Sequence, residues 1–359
     1  MTPSTADAAV ERALKYLIGQ HELAYPDAAH IMGSYSTAQF TKLHQQHQQH
    51  RPPQKREEKA QRFAEFWCVG AVYHVATITE ALLDAAEAGY EECRRLADDN
   101  AAWLLSQRDG VSWRYFPGFD PLPHDADTLA QVLRILIRTG HANNAVVRNA
   151  TALAARSAWD DGVVNTWLLD EPSERDAANR VWGRGRNDTG RDPEVVANLA
   201  HATRLYEQHI GALPLSPLVD PATRWLVDQQ QPMGFWRASW YVGTCYSTYV
   251  AVRHLAGLDG HQEEIARAAR FLMQAPAPDP LNRALTMLAL NEAGIAPSHD
   301  DCHLLIGSQF PDGSWEAVPW LDNHARVWGS RAVTTALCLQ ALLAVQRDSV
   351  SANHDGRMP

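Results

Sequence analysis

Two carboxylates, Asp125 and Asp127, stand two residues apart where an apolar helical pattern begins, with Leu129, Val132, Leu133, Leu136 and Ile137 recurring behind them at helical spacing. That spacing puts one acid at the cap and the other in the first turn of a buried helix. A helix start needs only one such acid. Two like charges that close cannot both ionise cheaply, and burial beside Trp113, Tyr115, Phe116 and Phe119 pushes the same way. One carboxyl can therefore keep its proton at neutral pH and act as an acid. The plainer reading, a cap with a dipole-stabilising neighbour, stands beside it.

The chain has 359 residues, enough for one large domain or two ordinary ones, and its 32 basic against 42 acidic residues argue against a nucleic acid partner. Cys68, Cys93, Cys245, Cys302 and Cys338 are scattered without a CxxC pair, the usage of a reducing compartment. The N-terminal stretch has no basic n-region or long apolar run, and no segment approaches a membrane span, so a cytoplasmic protein is expected. Twelve tryptophans are unusual, and most lie in or beside loops.

The elements that must position the acids come in pairs. Helices are predicted over 8–18, 69–88, 91–105, from the Asp127 segment onward, and over 143–158, 192–208, 222–230, 247–258, 263–273, 281–292, 299–306 and 333–345. An irregular stretch over 20–66 contains the His/Gln run 44–50, read as a solvated segment with metal chelation as the alternative, and 348–359 reads as a frayed tail. Six amphipathic helices alternate with six more apolar ones, and no segment reads convincingly as a strand. A closed double ring requires that alternation, with outer helices wet and inner ones covered on both sides. The expectation is all-α, a single (α/α)6 barrel of six hairpins over 1–347. The turns Gln107–Trp113, Gln231–Trp236 and Gln309–Trp315 are read as scaffold: glycine permits the reversal, tryptophan packs on glutamine, and the amide satisfies groups at helix ends.

Several segments resemble motifs of the squalene-hopene cyclases and related class II terpene cyclases. QRDGVSW, QPMGFW and QFPDGSW look like their QW turns, and HDADTLA like their DxDD or DxDT acid motif. RDPEVVANL resembles the segment that supplies a hydrogen-bond partner to that acid, WRASWYVGTCYSTYVAV a W-x-x-x-W-x-x-GT segment, and WGSRAVTTALCLQAL the closing repeat. The likeness runs from about Trp67 to Ala344, and where those enzymes usually carry two helical domains this chain has room for one.

The resemblance implies a protonation-initiated terpene or meroterpenoid cyclase acting on a linear isoprenoid or a prenylated aromatic substrate. Asp127 would be the proton donor, tuned by Asp125, with Asn198 orienting or relaying its proton; Thr128 stands where many relatives carry a third Asp. Without the resemblance, Asn198 is equally a satisfied core amide. No cofactor is implied, magnesium entering only if the substrate carries a diphosphate. A carbocation needs walls that stabilise positive charge without attacking it, as aromatic faces do. Trp67, Phe116, Phe119, Trp167, Tyr246 and Trp328 are the candidates, each with plain packing as the alternative. Arg184, Arg186 and Arg191 are candidates to bind an anionic head group, against the reading of a solvated basic loop.

Other functions share such barrels. The segment Val242–Ser247 is similar to the metal-binding segment of zinc prenyltransferases, but Gly243 stands in place of the aspartate, and Arg331 and Thr334 where a histidine would follow. Asp312 and Glu316 are the pair a glycosidase reading would use. A non-catalytic isoprenoid-binding scaffold is the third rival. The loop over 22–61 is expected to cover the cavity mouth, and Leu213–Leu218 to offer a peripheral membrane contact.

Overall fold

The computed structural model describes residues 3–32, 68–142, 145–183, 189–322 and 327–355. Its helices, in chain order, are α1 (Pro3–Glu22), α2 (Val72–Glu87), α3 (Glu92–Ser106), α4 (Ala126–Arg138), α5 (Ala145–Arg156), α6 (Pro172–Trp182) and α7 (Pro193–His209). They continue as α8 (Val219–Asp228), α9 (Cys245–Ala256), α10 (Gln262–Gln274), α11 (Pro280–Glu292), α12 (His299–Gly307) and α13 (Arg331–Asp355). The inner helices α2, α4, α7, α9, α11 and α13 pack each on the next, and α13 returns to α2 to close the ring. Outside it lie α1, α3, α5, α8, α10 and α12, so the expected (α/α)6 barrel is the observed architecture.

Burial separates the two rings as the hydropathy alternation requires. α4 is buried without interruption from Ala126 to Ile137, whereas α10 buries only Ala268, Ala269 and Leu272. An inner helix is covered on every side and tolerates a polar residue only with a partner; an outer helix needs one apolar stripe.

The three tryptophan turns tie the ends of α3, α8 and α12 to the segments that lead into α4, α9 and α13. Trp113, Trp236 and Trp315 are fully buried, and their indole N–H groups donate to Leu104 O at 2.7 Å, Leu226 O at 2.7 Å and Leu305 O at 2.8 Å, carbonyls in the last turns of the preceding outer helices. Gln230, one residue before the glutamine singled out in the sequence, donates to Gly234 O and to Glu264 O on the neighbouring α10, each at 2.9 Å. Gln309 does the same to Gly313 O and to Ala9 O on α1, each at 2.9 Å, which ties the last hairpin to the first. Glycine is required at both turns: φ is positive, and a Cβ would lie 2.3 Å from Arg267 O at Gly234 and 2.1 Å from Arg12 O at Gly313.

Three expectations are corrected. Three short antiparallel ladders occur: β1 (His30–Met32) with β2 (Cys68–Gly70), β3 (His124–Asp125) with β4 (Trp167–Leu168), and β5 (Leu321–Asp322) with β6 (Val327–Trp328). Runs of two or three residues are too short to show a strand period. The segment before Trp182, where no helix was predicted, forms α6, opened by Pro172 at its first turn. α13 runs to Asp355. Leu213 and Leu215 turn into the core and the half-buried Leu218 packs against it, so two of the three leucines expected at a membrane are inside the molecule. No helix among the described residues is long and apolar enough to cross a membrane.

Candidate active site

Asp125 is the N-cap of α4. Its Oδ1 accepts from the Thr128 N–H at 2.7 Å and its Oδ2 from the Tyr115 N–H at 2.9 Å. Pairing of β3 with β4 sets Asp125 opposite Trp167 and gives the Ala126 N–H to Thr166 O at 2.8 Å. Asp127, in the first turn, is differently held: Oδ1 accepts from Asn198 Nδ2 at 2.8 Å and Oδ2 contacts the Tyr241 hydroxyl at 2.6 Å.

Burial raises both acids, Asp125 to about 7 and Asp127 to about 6, against lowering by the hydrogen bonds each accepts. Values this close belong to the pair, and geometry decides which acid carries the reactive proton. Both Asp125 oxygens are engaged by main-chain donors. At Asp127, the Asn198 amide can only donate, so Oδ1 stays unprotonated and the proton belongs on Oδ2, where the Tyr241 hydroxyl can accept or donate and so fits either protonation state.

The orientation of Asn198 is set from behind. Its Oδ1 accepts from Arg253 Nη2 at 2.9 Å and Arg134 Nη1 at 3.4 Å, which turns Nδ2 toward Asp127. Arg134 is in turn clamped by Glu80 at 3.0 and 2.5 Å, and Gln131 bonds the Tyr73 and Tyr246 hydroxyls at 2.9 and 3.0 Å. Tyr241 is delivered by the sheet edge, through its bridge to Leu321 and the Val242 N–H bond to Trp320 O at 2.8 Å. Glu194 supports the same segment, its Oε1 accepting from Ser239 N–H at 2.7 Å and Trp240 N–H at 2.8 Å.

Asp125 and Asp127 open into a cavity of about 870 Å³, mouth included, whose wall is built chiefly of aromatic rings. Phe116, Phe119 and Trp167 stand on that wall, as the sequence suggested, together with Tyr73, Tyr115, Trp182, Trp240 and Tyr241, which it did not. Tyr246 is off the wall: the tilted ring of Tyr241 lies over it at 4.0 Å, and its hydroxyl joins the polar network behind Asp127, 3.2 Å from Asn198 Nδ2. Trp328 also lies behind the wall, stacked on His74 at 4.0 Å and on His30 at 5.0 Å, and it is His30 that lines the cavity. Arg191 pairs with Asp161 at 2.5 Å and lies over Trp159, away from the cavity lining. Trp67, Arg184 and Arg186 lie outside the described residues, as do most of the loop over 20–66 and the His/Gln run.

The buried polar residues Glu80, Gln131 and Arg134 were legible in principle: each interrupts an apolar inner-helix pattern, and Gln131 and Arg134 follow Asp127 at spacings of one and two helical turns. The glycosidase pair does not reach the cavity, since Asp312 is held in its turn by Arg331 at 2.6 Å and Glu316 is exposed. Among the described residues no group of three or more His, Cys, Asp or Glu side chains is arranged to hold a metal, which leaves the zinc reading without a donor set there.

No protein-family model matches this chain, and no curated protein does. Solved structures match over nearly its full length. A protein from Actinoplanes is 20% identical with a TM-score of 0.65, covering 95% of this chain and 99% of its own. The type II terpene cyclase MstE from Scytonema, in complex with geranylgeranyl dihydroxybenzoate as substrate, is 15% identical with a TM-score of 0.67 over 96% and 98%. ent-Copalyl diphosphate synthase from Streptomyces platensis matches 77% of this chain with half of its own, at 19% identity and a TM-score of 0.56. The fold is therefore that of the class II terpene cyclases, in a single barrel.

Proposed function

We propose that this chain is a class II meroterpenoid cyclase. Asp127 transfers its proton to a terminal alkene or epoxide of a linear polyprenyl chain, and the folded chain closes rings against the aromatic wall. The observation that carries this reading is the pairing of a carboxyl whose hold on its proton is raised by burial, to about 6, with donors already aimed at the carboxylate it becomes. As the proton leaves, Asn198 Nδ2 already donates to the carboxylate and the Tyr241 hydroxyl is in place to turn its hydrogen toward it, so both stabilise the new charge. The cationic chain then meets ring faces, which attract it without trapping it.

A prenylated dihydroxybenzoate is the first substrate to try, because a structural neighbour binds one. Purified protein and its Asp127→Asn variant are incubated with that compound, linear prenyl diphosphates and squalene, and products are followed by mass spectrometry. A ring-containing product of unchanged mass from the wild type alone supports the cyclase. Unchanged substrate with equal binding by both proteins returns Asp127 to the role of a helix-start carboxylate and favours the binding scaffold.

A further inference from the structure

A protonation-initiated cascade ends as a carbocation that must lose a neighbouring proton or take up water. On the cyclase reading above, we infer that His30 is the base that ends the cascade, its Nε2 removing the final proton. His30 lines the same cavity as Asp127, and its place there is fixed by β1, where it pairs with Gly70. Gly70 is forced by the approach of Tyr115: a Cβ would lie 2.9 Å from both its ring and its carbonyl oxygen.

The hydrogen-bond chain behind His30 leaves only one tautomer. The Ala28 carbonyl can only accept, so His74 Nδ1, 2.7 Å away, carries the hydrogen. His74 Nε2 then accepts from the Tyr115 hydroxyl at 2.8 Å, and the Tyr115 oxygen accepts from His30 Nδ1 at 2.8 Å. The lone pair of His30 is thereby placed on Nε2, which has no hydrogen-bond partner among the described residues. Burial holds His30 down to about 4 and His74, helped by His30, to about 3, so both rings stay neutral and His30 is able to accept a proton.

In the terminating step a C–H bond next to the cationic carbon breaks. Its electron pair becomes the new C=C bond, and the proton bonds to Nε2, giving an imidazolium. That charge lies against Trp328 at 5.0 Å and Phe116 at 5.4 Å. Once product departs, the proton returns through water to the Asp127 carboxylate, so the overall reaction is an isomerisation. Tyr115 acts as a positioning residue, holding Nδ1 and hence the tautomer.

The test compares wild type, His30→Gln, His30→Ala and Tyr115→Phe on the substrate the wild type cyclises, in water enriched in oxygen-18, with thermal unfolding as the check on folding. Because Asp127 is untouched, the His30 variants should still consume substrate. The share of the wild-type product should fall by about tenfold or more, replaced by double-bond isomers and labelled alcohols, with a partial change for Tyr115→Phe. An unchanged product pattern in both His30 variants overturns the inference. So does a change in Asp322→Asn alone, which would assign the base to another polar residue at that wall. A wild type inert toward every substrate overturns the cyclase reading itself, and the inference with it.

Discussion

Glu80 and Asp127 are both buried carboxylates on inner helices, joined through Arg134 and Asn198, yet they are pushed in opposite directions. At Glu80 burial alone would favour the neutral form, but Arg134 and then Arg253 hold it down to about 2. At Asp127 burial dominates, and the lowering by Tyr241, Asn198 and the more distant Arg134 leaves it at about 6. Full charges beside a buried acid make it a structural ion; neutral donors beside it make it a proton source. The barrel keeps both within one network by placing an amide between them, so that the guanidiniums orient Asn198 without ion-pairing to Asp127.

Replacing the acid should have the largest effect. Asp127→Asn keeps the shape and removes the proton, and turnover is expected to fall by about 10³-fold or more, about 4 kcal/mol on the barrier, with the unfolding midpoint little changed. Glu80→Gln should do the reverse, costing about 3 kcal/mol of stability by leaving Arg134 and Arg253 buried without a counter-charge, as read by denaturant unfolding.

The two acids should also part in their pH dependence. Asp125 and Asp127 have folded values above the ordinary 3.8, so their stabilisation is fully present below that value and is lost as pH rises through about 6 to 7. Activity falls in the same window, about tenfold per pH unit above it, because the ionised pair has no proton to give. Glu80 behaves oppositely, its stabilisation present above 4.5 and lost as pH falls toward about 2. A pH–rate profile with and without Asp125→Asn, alongside pH-dependent melting of Glu80→Gln, checks both directions.

The smallest effect is expected at Glu194. Burial, and then Asp192, push it up toward the neutral form, and Glu194→Gln should leave turnover within about twofold and stability within about 1 kcal/mol. A large loss there would mean that Glu194 carries charge, and that burial alone does not separate the neutral acids from the ionised one.

Much of this molecule was legible from local pattern. The alternation of wet and dry helices, the three tryptophan turns and the acid pair at a helix start all depend on residues a few positions apart, where periodicity and capping chemistry act. What the tertiary structure decided depends on distant partners. Asn198, which only the resemblance suggested as a partner, meets Asp127 across 71 residues, and Tyr241, which nothing in the sequence suggested, meets it across 114, through a bridge at a sheet edge too short to show in sequence. Choosing Tyr241 over Tyr246 for the wall, and His30 over Trp328, was likewise a matter of which ring lies in front of the other. Composition supplies the candidates; closure of the barrel selects among them, because burial and facing partners set both the proton affinity of each acid and the side from which a substrate can reach it.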